Sequence, residues 1–316
     1  MTQSRAAALQ LCPFSSYLEA GLAARFDVIR WDTLSELERT EWLRLHAAAV
    51  RAVVTGGHIG CSTALMQSLP SLGMIAVNGV GVDKVDLEYA GRHGVQVATT
   101  PGALTEDVAD LAVGLAIALL RGIPAADAFV RNGEWLKGER ALARKVSGRR
   151  FGVVGMGHIG TAIAARLAAF GPVAYTGPTR KSVPYAFHAD VLALTRASDV
   201  LVLACPANAA TRHLVNAAVL DALGPDGYLI NVARGAVVDE PALIAALASG
   251  RLRGAALDVY ENEPNVPLAL RQSPRVILSP HMASATIETR TRMADMLLAS
   301  LDSLMPTTNA GGTQDG

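Results

Sequence analysis

The sequence has few cysteines and no excess of either charge. Lys and Arg together number 28, as do Asp and Glu, so the formal net charge is zero. A balanced chain has no overall field to attract nucleic acid or an anionic membrane, so an anionic ligand must be held by local charges. Cys12, Cys61 and Cys205 lack metal-ligand spacing and are too few for a disulfide framework. They predict reduced thiols in a cytoplasmic protein and no metal site.

Long apolar runs are also absent. The longest run, residues 111–120, is far shorter than the roughly 20 residues that a membrane-spanning helix needs. We expect it to form a core helix. The N-terminus has no apolar segment followed by a cleavage site, so export is not expected. Neither a membrane nor a nucleic acid is predicted as a partner.

Apolar residues are abundant, at 51% of 316 residues, which is enough for two hydrophobic cores. Short strand-like runs alternate with amphipathic stretches over residues 7–99, and a second series of this kind covers residues 151–278. Such alternation predicts parallel sheets with helices on both faces. Long helices are predicted over 105–121 and 286–304. The expected fold class is therefore α/β with two doubly wound, Rossmann-like domains.

A glycine-rich turn follows the predicted buried strand 151–154 and begins a predicted helix. Its glycines allow a tight turn, close approach to a pyrophosphate and close helix–strand packing, while the helix N-terminus favours phosphate. This context predicts a dinucleotide site rather than an ordinary turn. The predicted contacts are Gly155, Met156, Gly157, His158, Ile159 and Gly160.

The end of the next strand favours a phosphorylated ribose. An NAD site usually has Asp or Glu about 20 residues beyond the first glycine, but Tyr175 stands here and no acidic residue lies between Gly160 and Asp190. Basic side chains that follow can pair with a 2′-phosphate. We therefore expect Thr179, Arg180 and Lys181 to bind NADPH, with NADH a weaker alternative. The other interpretation is a solvated basic loop that Gly177 and Pro178 aim elsewhere.

Three reactive side chains follow late strands of the second series. Arg234 can bind a carboxylate and polarise a ketone, and His281 can deliver a proton. Glu263 against the imidazole would orient it and favour its protonated form. Because ligands bind at the carboxyl ends of parallel strands, we expect these side chains to form one catalytic site.

These motifs together resemble the D-isomer-specific 2-hydroxyacid dehydrogenase family, and most closely its NADPH-dependent glyoxylate/hydroxypyruvate reductases. The resemblance covers residues 69–304 and is carried by Asn78–Asp83, Gly155–Gly160, Cys205–Pro206, Asn231–Gly235, Asp258–Pro264 and Ser279–His281. It implies a dinucleotide-binding domain over residues 100–284. That domain would be inserted into a flavodoxin-like substrate domain formed by residues 1–99 and 285–316, with a closing cleft between the two.

The resemblance also implies roles for individual residues. Arg234 would bind the substrate carboxylate and carbonyl, His281 would be the general acid, and Glu263 would support it. Gly57, Val80 and Gly81 would contact the substrate. The expected cofactor contacts beyond the glycine turn and basic loop are Cys205, Pro206, Thr211, Val232, Ala233 and Asp258, with Asp258 accepting a bond from the carboxamide. A homodimer would form through an arm within residues 105–145 that includes Trp135.

The expected activity is NADPH-dependent reduction of a small 2-keto acid, such as glyoxylate or hydroxypyruvate, to the D-2-hydroxy acid. Two alternatives remain open: a reductase of another keto acid such as 2-ketogluconate or hydroxyphenylpyruvate, and a non-enzymatic, corepressor-like dinucleotide sensor. One departure from the family concerns the cofactor. Gly177 and Pro178 occupy a place where many NADPH-using relatives have an arginine sooner, which leaves the phosphate contacts open.

Overall fold

The computed structural model describes residues 5–304, which divide into two compact units. The first unit contains residues 5–103 and 286–304, so both ends of the described chain belong to it. The second unit is Leu104–Ala285. Each has its own parallel sheet, which confirms the predicted α/β class with two parallel-sheet domains.

The first unit has a five-stranded sheet in the order β2-β1-β3-β4-β5, the flavodoxin-like order. All neighbouring strands are parallel. The strands are β1 Ala7–Gln10, β2 Asp27–Arg30, β3 Val50–Gly56, β4 Met74–Asn78 and β5 Gln96–Ala98. The helices are α1 Ser16–Arg25, α2 Glu36–His46, α3 Thr63–Gln67, α4 Leu87–Arg92 and, from the end of the chain, α12 Ile287–Asp302.

Helix α12 completes the core of the first unit. Leu297 and Leu301 are fully buried in the apolar cluster that α1 forms against the sheet. At the surface of the same contact, Arg25 binds Asp302 at 2.6 Å and the Tyr17 hydroxyl donates to Asp295 at 2.6 Å. Helix α12 therefore packs onto α1, and the two helices cover this face of the sheet.

The second unit has a seven-stranded sheet in the order β12-β11-β10-β9-β6-β7-β8, again parallel throughout. The strands are β6 Phe151–Val154, β7 Val173–Thr176, β8 Ala186–Phe187, β9 Val200–Leu203, β10 Tyr228–Asn231, β11 Gly254–Leu257 and β12 Val276–Leu278. The helices are α5 Thr105–Arg121, α6 Ile123–Arg131, α7 His158–Leu167, α8 Val191–Arg196, α9 Ala217–Leu223, α10 Glu240–Ala248 and α11 Leu268–Arg271.

Successive strands of the second sheet are added on opposite sides of β6, at the centre of the sheet. β6 pairs with β7 on one side and with β9 on the other, so the loops after β6 and β9 leave toward opposite faces. Such a switch point opens a crevice beyond the carboxyl ends of the strands. The glycine turn follows β6 directly and lies at this crevice.

Helix α5 is amphipathic and buries one face, including Ala109, Ala112 and Ala116, in the second unit. The expected core helix is therefore present. Within residues 5–304, no single helix is long and apolar enough to span a bilayer. Only α5 and α6 taken together reach that length and apolar content, and they are bent by 59° at their junction.

The sequence did not predict α6, α11 or β8. Gly122 ends α5 with a left-handed φ of 61°, and a proline follows two residues later. Pro124, however, lies in the first turn of α6, where its missing N–H costs no hydrogen bond. The predicted helix over 158–170 ends earlier, at Leu167.

Candidate active site

The turn after β6 uses its glycines in different ways. Gly155 has a φ of 95°, and a Cβ there would lie 2.8 Å from the Cys205 backbone. A Cβ on Gly160 would lie 1.9 Å from the carbonyl oxygen of Gly155, so only glycine lets α7 begin so close to the turn. Gly157 is the N-cap of α7, and a Cβ there would meet nothing within 4 Å. Gly155 and Gly160 therefore serve the fold, while Gly157 leaves space for a ligand.

A surface cavity lies beside this turn, between the first turns of α5, the first turns of α7 and the loop after β7. Lys181 lines it, whereas Thr179 and Arg180 are exposed and lie outside its lining. The sequence did not indicate Arg166, which lines the cavity and binds Glu106 and Asp110 at 2.6 Å each. The lining residues are Thr105, Glu106, Met156, Gly157, His158, Thr161, Ala162, Ala165, Arg166, Lys181, Ser182 and Val183.

Tyr175, which stands where an NAD site would have an acid, fixes the basic loop. The side chain is fully buried, and its hydroxyl accepts a hydrogen bond from the backbone N–H of Lys181 at 2.7 Å. Lys181 is therefore held at the cavity by the residue that replaces the ribose-binding carboxylate. Lys181 and the first residues of α7 line the same cavity.

The turn after β10 presents Arg234. Asn231 is buried, and its amide nitrogen donates to the Arg234 carbonyl at 3.0 Å while its amide oxygen accepts from Ala233 N–H at 3.0 Å. The Arg234 guanidinium is half-buried and donates to the Ala233 carbonyl at 2.8 Å. Asn231 thus closes the turn that holds the guanidinium at the carboxyl end of β10.

Asp258, at the end of β11, holds the turn that carries His281. Its fully buried carboxylate accepts bonds from the Ser279 hydroxyl at 2.6 Å, Met282 N–H at 2.9 Å and Ala283 N–H at 3.0 Å. His281 N–H donates to the Asp258 carbonyl at 2.8 Å. These bonds maintain a φ of 50° at His281, which few residues other than glycine adopt. The sequence predicted a carboxamide contact for Asp258 and did not indicate this role.

His281 and Glu263 form a close pair. The imidazole Nδ1 lies 2.7 Å from Glu263 Oε2, and the other carboxylate oxygen accepts Tyr260 N–H at 3.0 Å. Both side chains are partly exposed, at 33% and 23%. A carboxylate on Nδ1 orients the ring so that Nε2 is the atom that exchanges a proton with a substrate. The pair can therefore act as a supported general acid.

The other predicted cofactor residues lie after β9 and β10. Cys205 is buried, and burial raises the pKa of its thiol to about 11, so it stays protonated and unreactive near neutral pH. Val232 and Ala233 are also buried. The Thr211 hydroxyl donates to the Pro206 carbonyl at 2.7 Å and so closes the loop after β9.

The predicted substrate residues Gly57, Val80 and Gly81 belong to the first unit, in the loops after β3 and β4. These loops approach each other closely, because a Cβ on Gly79 would lie 3.8 Å from the Gly57 nitrogen. The Asn78 side-chain oxygen beside them is buried and has no hydrogen-bond partner among the described residues. A buried polar side chain therefore lies beside these loops at the carboxyl edge of the first sheet.

Comparisons with known proteins agree with this arrangement. The family model described as D-isomer specific 2-hydroxyacid dehydrogenase, NAD binding domain, matches residues 113–283. The glyoxylate/hydroxypyruvate reductase A of Arabidopsis thaliana is 47% identical over 296 residues, which cover 93% of this chain and 94% of that protein. The hydroxyphenylpyruvate reductase of Plectranthus scutellarioides is 45% identical over 296 residues, with the same coverage.

A solved structure is similar across both units. The NADPH-dependent glyoxylate/hydroxypyruvate reductase of Sinorhizobium meliloti, in complex with NADP and malonate, has a TM-score of 0.87 and 38% identity. The match covers 96% of this chain and 95% of that one. The fold and the glycine turn are thus those of a nicotinamide dinucleotide-binding protein.

The two glycine roles can be separated by substitution. Gly160→Ala should lower the free energy of unfolding by about 2 kcal/mol, because the methyl group would overlap a backbone carbonyl that cannot yield easily. Gly157→Ala should leave folding stability within about 0.5 kcal/mol of the wild type but weaken dinucleotide binding about 10-fold or more, because its methyl group would fill the space for the pyrophosphate. Thermal unfolding and fluorescence titration measure the two effects. Equal stability losses in both variants would contradict this division.

Proposed function

We propose that this chain, which belongs to the D-isomer specific 2-hydroxyacid dehydrogenase family, reduces a small 2-keto acid such as glyoxylate or hydroxypyruvate to the D-2-hydroxy acid with NADPH. Membership makes the chain an oxidoreductase of 2-hydroxy acids that binds a nicotinamide dinucleotide. The observation that carries the finer proposal is the 2.7 Å contact between His281 and Glu263, in the same compact unit as the glycine turn.

The glycine turn fits the pyrophosphate of the dinucleotide. Gly157 leaves open space at the N-terminus of α7, a helix of ten residues whose free N–H groups and dipole favour phosphate. Cys205, Pro206, Thr211, Val232 and Ala233 would line the nicotinamide side. When bound, the reduced nicotinamide supplies the hydride.

The residues of this chain would then bind the keto acid and move one proton. Arg234 would hold the carboxylate and draw electron density from the keto oxygen, since a guanidinium is suited to paired contacts with oxygen. Gly57, Val80 and Gly81, in loops of the first unit, stay predicted substrate contacts, since backbone N–H groups of such loops are suited to bind an anion. His281 would give its Nε2 proton to the keto oxygen as the hydride reaches the keto carbon. Glu263 would stabilise the imidazolium until that transfer.

The proton-donor role predicts a large loss of turnover in His281→Asn. Asparagine tolerates the left-handed backbone that this position adopts, so the turn should persist. Loss of a general acid should lower kcat about 100- to 10,000-fold, with the Kd for NADPH unchanged. Steady-state assays with glyoxylate and hydroxypyruvate, together with a binding titration, measure both quantities. Wild-type turnover in a folded His281→Asn variant would remove the assignment.

NADPH preference is proposed to depend mainly on Lys181. Lys181 lines the same cavity as Gly157 and His158, and Tyr175 stands where a carboxylate would bind an unphosphorylated ribose. Thr179 and Arg180 would add contacts from the outer part of the loop.

Lys181→Met should therefore raise the KM for NADPH about 10- to 100-fold, which corresponds to loss of a charge-assisted bond, and should leave the KM for NADH nearly unchanged. Arg180→Met is the matched control, with an expected effect of a few-fold. A panel of both cofactors against each variant tests this. If Arg180→Met has the larger effect, the phosphate lies farther out on the loop than proposed.

A second substrate is favoured by one relative. The Plectranthus scutellarioides protein carries the name of hydroxyphenylpyruvate reductase and is 45% identical. Hydroxyphenylpyruvate shares the keto acid group with glyoxylate and differs in its side chain, which Arg234 and His281 would not contact. Relative kcat/KM values for glyoxylate, hydroxypyruvate, hydroxyphenylpyruvate and 2-ketogluconate would decide which substrate the chain prefers.

We propose that the chain forms a homodimer through residues 130–142, which belong to the predicted arm over residues 105–145. Trp135, Leu136 and Leu142 are 68%, 94% and 98% exposed, and Val130 on α6 is also exposed. Several exposed apolar side chains in so short a segment favour an interface. We further propose a cytoplasmic location, since the three cysteines are unpaired thiols.

The double variant Leu136→Glu/Leu142→Glu should convert the dimer into a monomer, because burying two carboxylates at the interface is unfavourable. Light scattering should then give the chain mass of 33.0 kDa instead of twice that value. Leu37→Glu, at a 76% exposed position of α2, is the control and should remain dimeric. A wild-type protein that is monomeric at micromolar concentration would contradict the proposal.

A further inference from the structure

The loop that carries Glu263 is bound by a buried carboxylate that the sequence did not single out. Glu240, the first residue of α10, is 7% exposed, and its Oε1 accepts the backbone N–H of Glu261 at 2.5 Å. Burial raises the pKa of Glu240, and the nearby charges of Glu261 and Glu263 raise it further. A carboxylate is costly to bury, so its bond to this one N–H needs an explanation.

The turn after Arg234 meets the same peptide unit. A Cβ on Gly235 would lie 1.9 Å from the Tyr260 carbonyl carbon and 2.3 Å from the Glu261 nitrogen. Only glycine therefore allows this contact. The peptide between Tyr260 and Glu261 is thus held by Gly235 against its face and by Glu240 at its N–H.

The Glu261 side chain has partners from a third segment. His213 Nε2 lies 2.7 Å from Glu261 Oε1, and Arg212 donates to the same oxygen at 3.3 Å. His213 has a left-handed φ of 50°, and its N–H donates to the Ala236 carbonyl at 2.8 Å. The loop after β9 is therefore joined both to Glu261 and to the turn after Arg234.

We propose that Glu240 is a positioning residue for the His281–Glu263 pair. It holds the backbone of Glu261, His213 holds the side chain of Glu261, and Glu263 follows two residues later with its carboxylate on His281 Nδ1. Loss of the acceptor at Glu240 lets the loop move and lengthens the contact between Glu263 and His281. The ionisable groups that act on Glu240 are Glu261, Glu263 and Tyr260, whereas His213 and Arg212 contact the Glu261 carboxylate.

Two substitutions separate the acceptor from the charge. Glu240→Gln keeps an oxygen of the same shape for Glu261 N–H, whereas Glu240→Ala removes it. Glu240→Ala should lower kcat about 10-fold, since small displacements of catalytic groups have effects of this order or larger. The Kd for NADPH should stay unchanged, and the alkaline limb of the kcat/KM profile for reduction should move about one unit to lower pH. Glu240→Gln should retain kcat within about 3-fold of the wild type.

The activity readout rests on the proposed function, so a second measurement is independent of any substrate. NMR titration of the His281 ring C–H, assigned by its loss in His281→Asn, should give a lower midpoint in Glu240→Ala and little change in Glu240→Gln. If Glu240→Ala fails to fold, His213→Asn tests the same loop, because asparagine tolerates a left-handed φ. It should lower the midpoint by a smaller amount.

Three results would overturn the inference: an unchanged midpoint and kcat in folded Glu240→Ala, equal losses in the Gln and Ala variants, or an unchanged midpoint in His213→Asn when the Ala variant cannot fold. A wild-type protein that reduces no 2-keto acid would instead refute the proposed function. The NMR comparison would still decide the role of Glu240 in that case.

Discussion

The buried carboxylate of Asp258 is the interaction on which the geometry of the candidate site depends. It accepts hydrogen bonds from one hydroxyl and two backbone N–H groups of the turn after β12, at distances of 2.6 to 3.0 Å. Those bonds compensate the cost of burying the charge, and they keep His281 in a backbone conformation that a flexible loop would leave. The 2.7 Å contact with Glu263 is possible only while that turn persists.

The acidic residues around His281 have different partners and therefore different roles. Asp258 is fully buried and bonded to backbone, Glu240 is nearly buried and bonded to backbone, and Glu263 is partly exposed and bonded to an imidazole. Burial and the neighbouring charges of Glu261 and Glu263 disfavour the charged form of Glu240 and raise its pKa.

Sequence patterns were sufficient for the fold class and for the family. Buried strands such as Phe151–Val154 are continuous apolar runs, and the helix over 105–121 has the predicted bounds. The family resemblance is confirmed by the matching model and by relatives that span nearly the whole chain. The pairing of His281 with Glu263 was anticipated because residues that end adjacent parallel strands meet at one edge.

Contacts that depend on three-dimensional approach were not predictable in this way. Glu240 and Arg166 occupy helical positions that look like ordinary capping or surface sites, and their partners are distant in sequence. Tyr175 was noted only as a missing acid, because nothing in the sequence shows that its hydroxyl meets the backbone of Lys181. The helix α6 was missed because glycine and proline mark both the end of one helix and the start of another.

The first unit contains both ends of the described chain, whereas Asn231 to His281 form one uninterrupted stretch of the second unit. On the proposed roles, this stretch contains all the groups that transfer the proton, while the loops after β3 and β4 contain the predicted substrate contacts of the first unit. Mutations that alter substrate preference can therefore accumulate in one part of the gene while the proton-transfer part is inherited intact. This separation offers a route by which paralogues acquire new keto acids without first losing turnover.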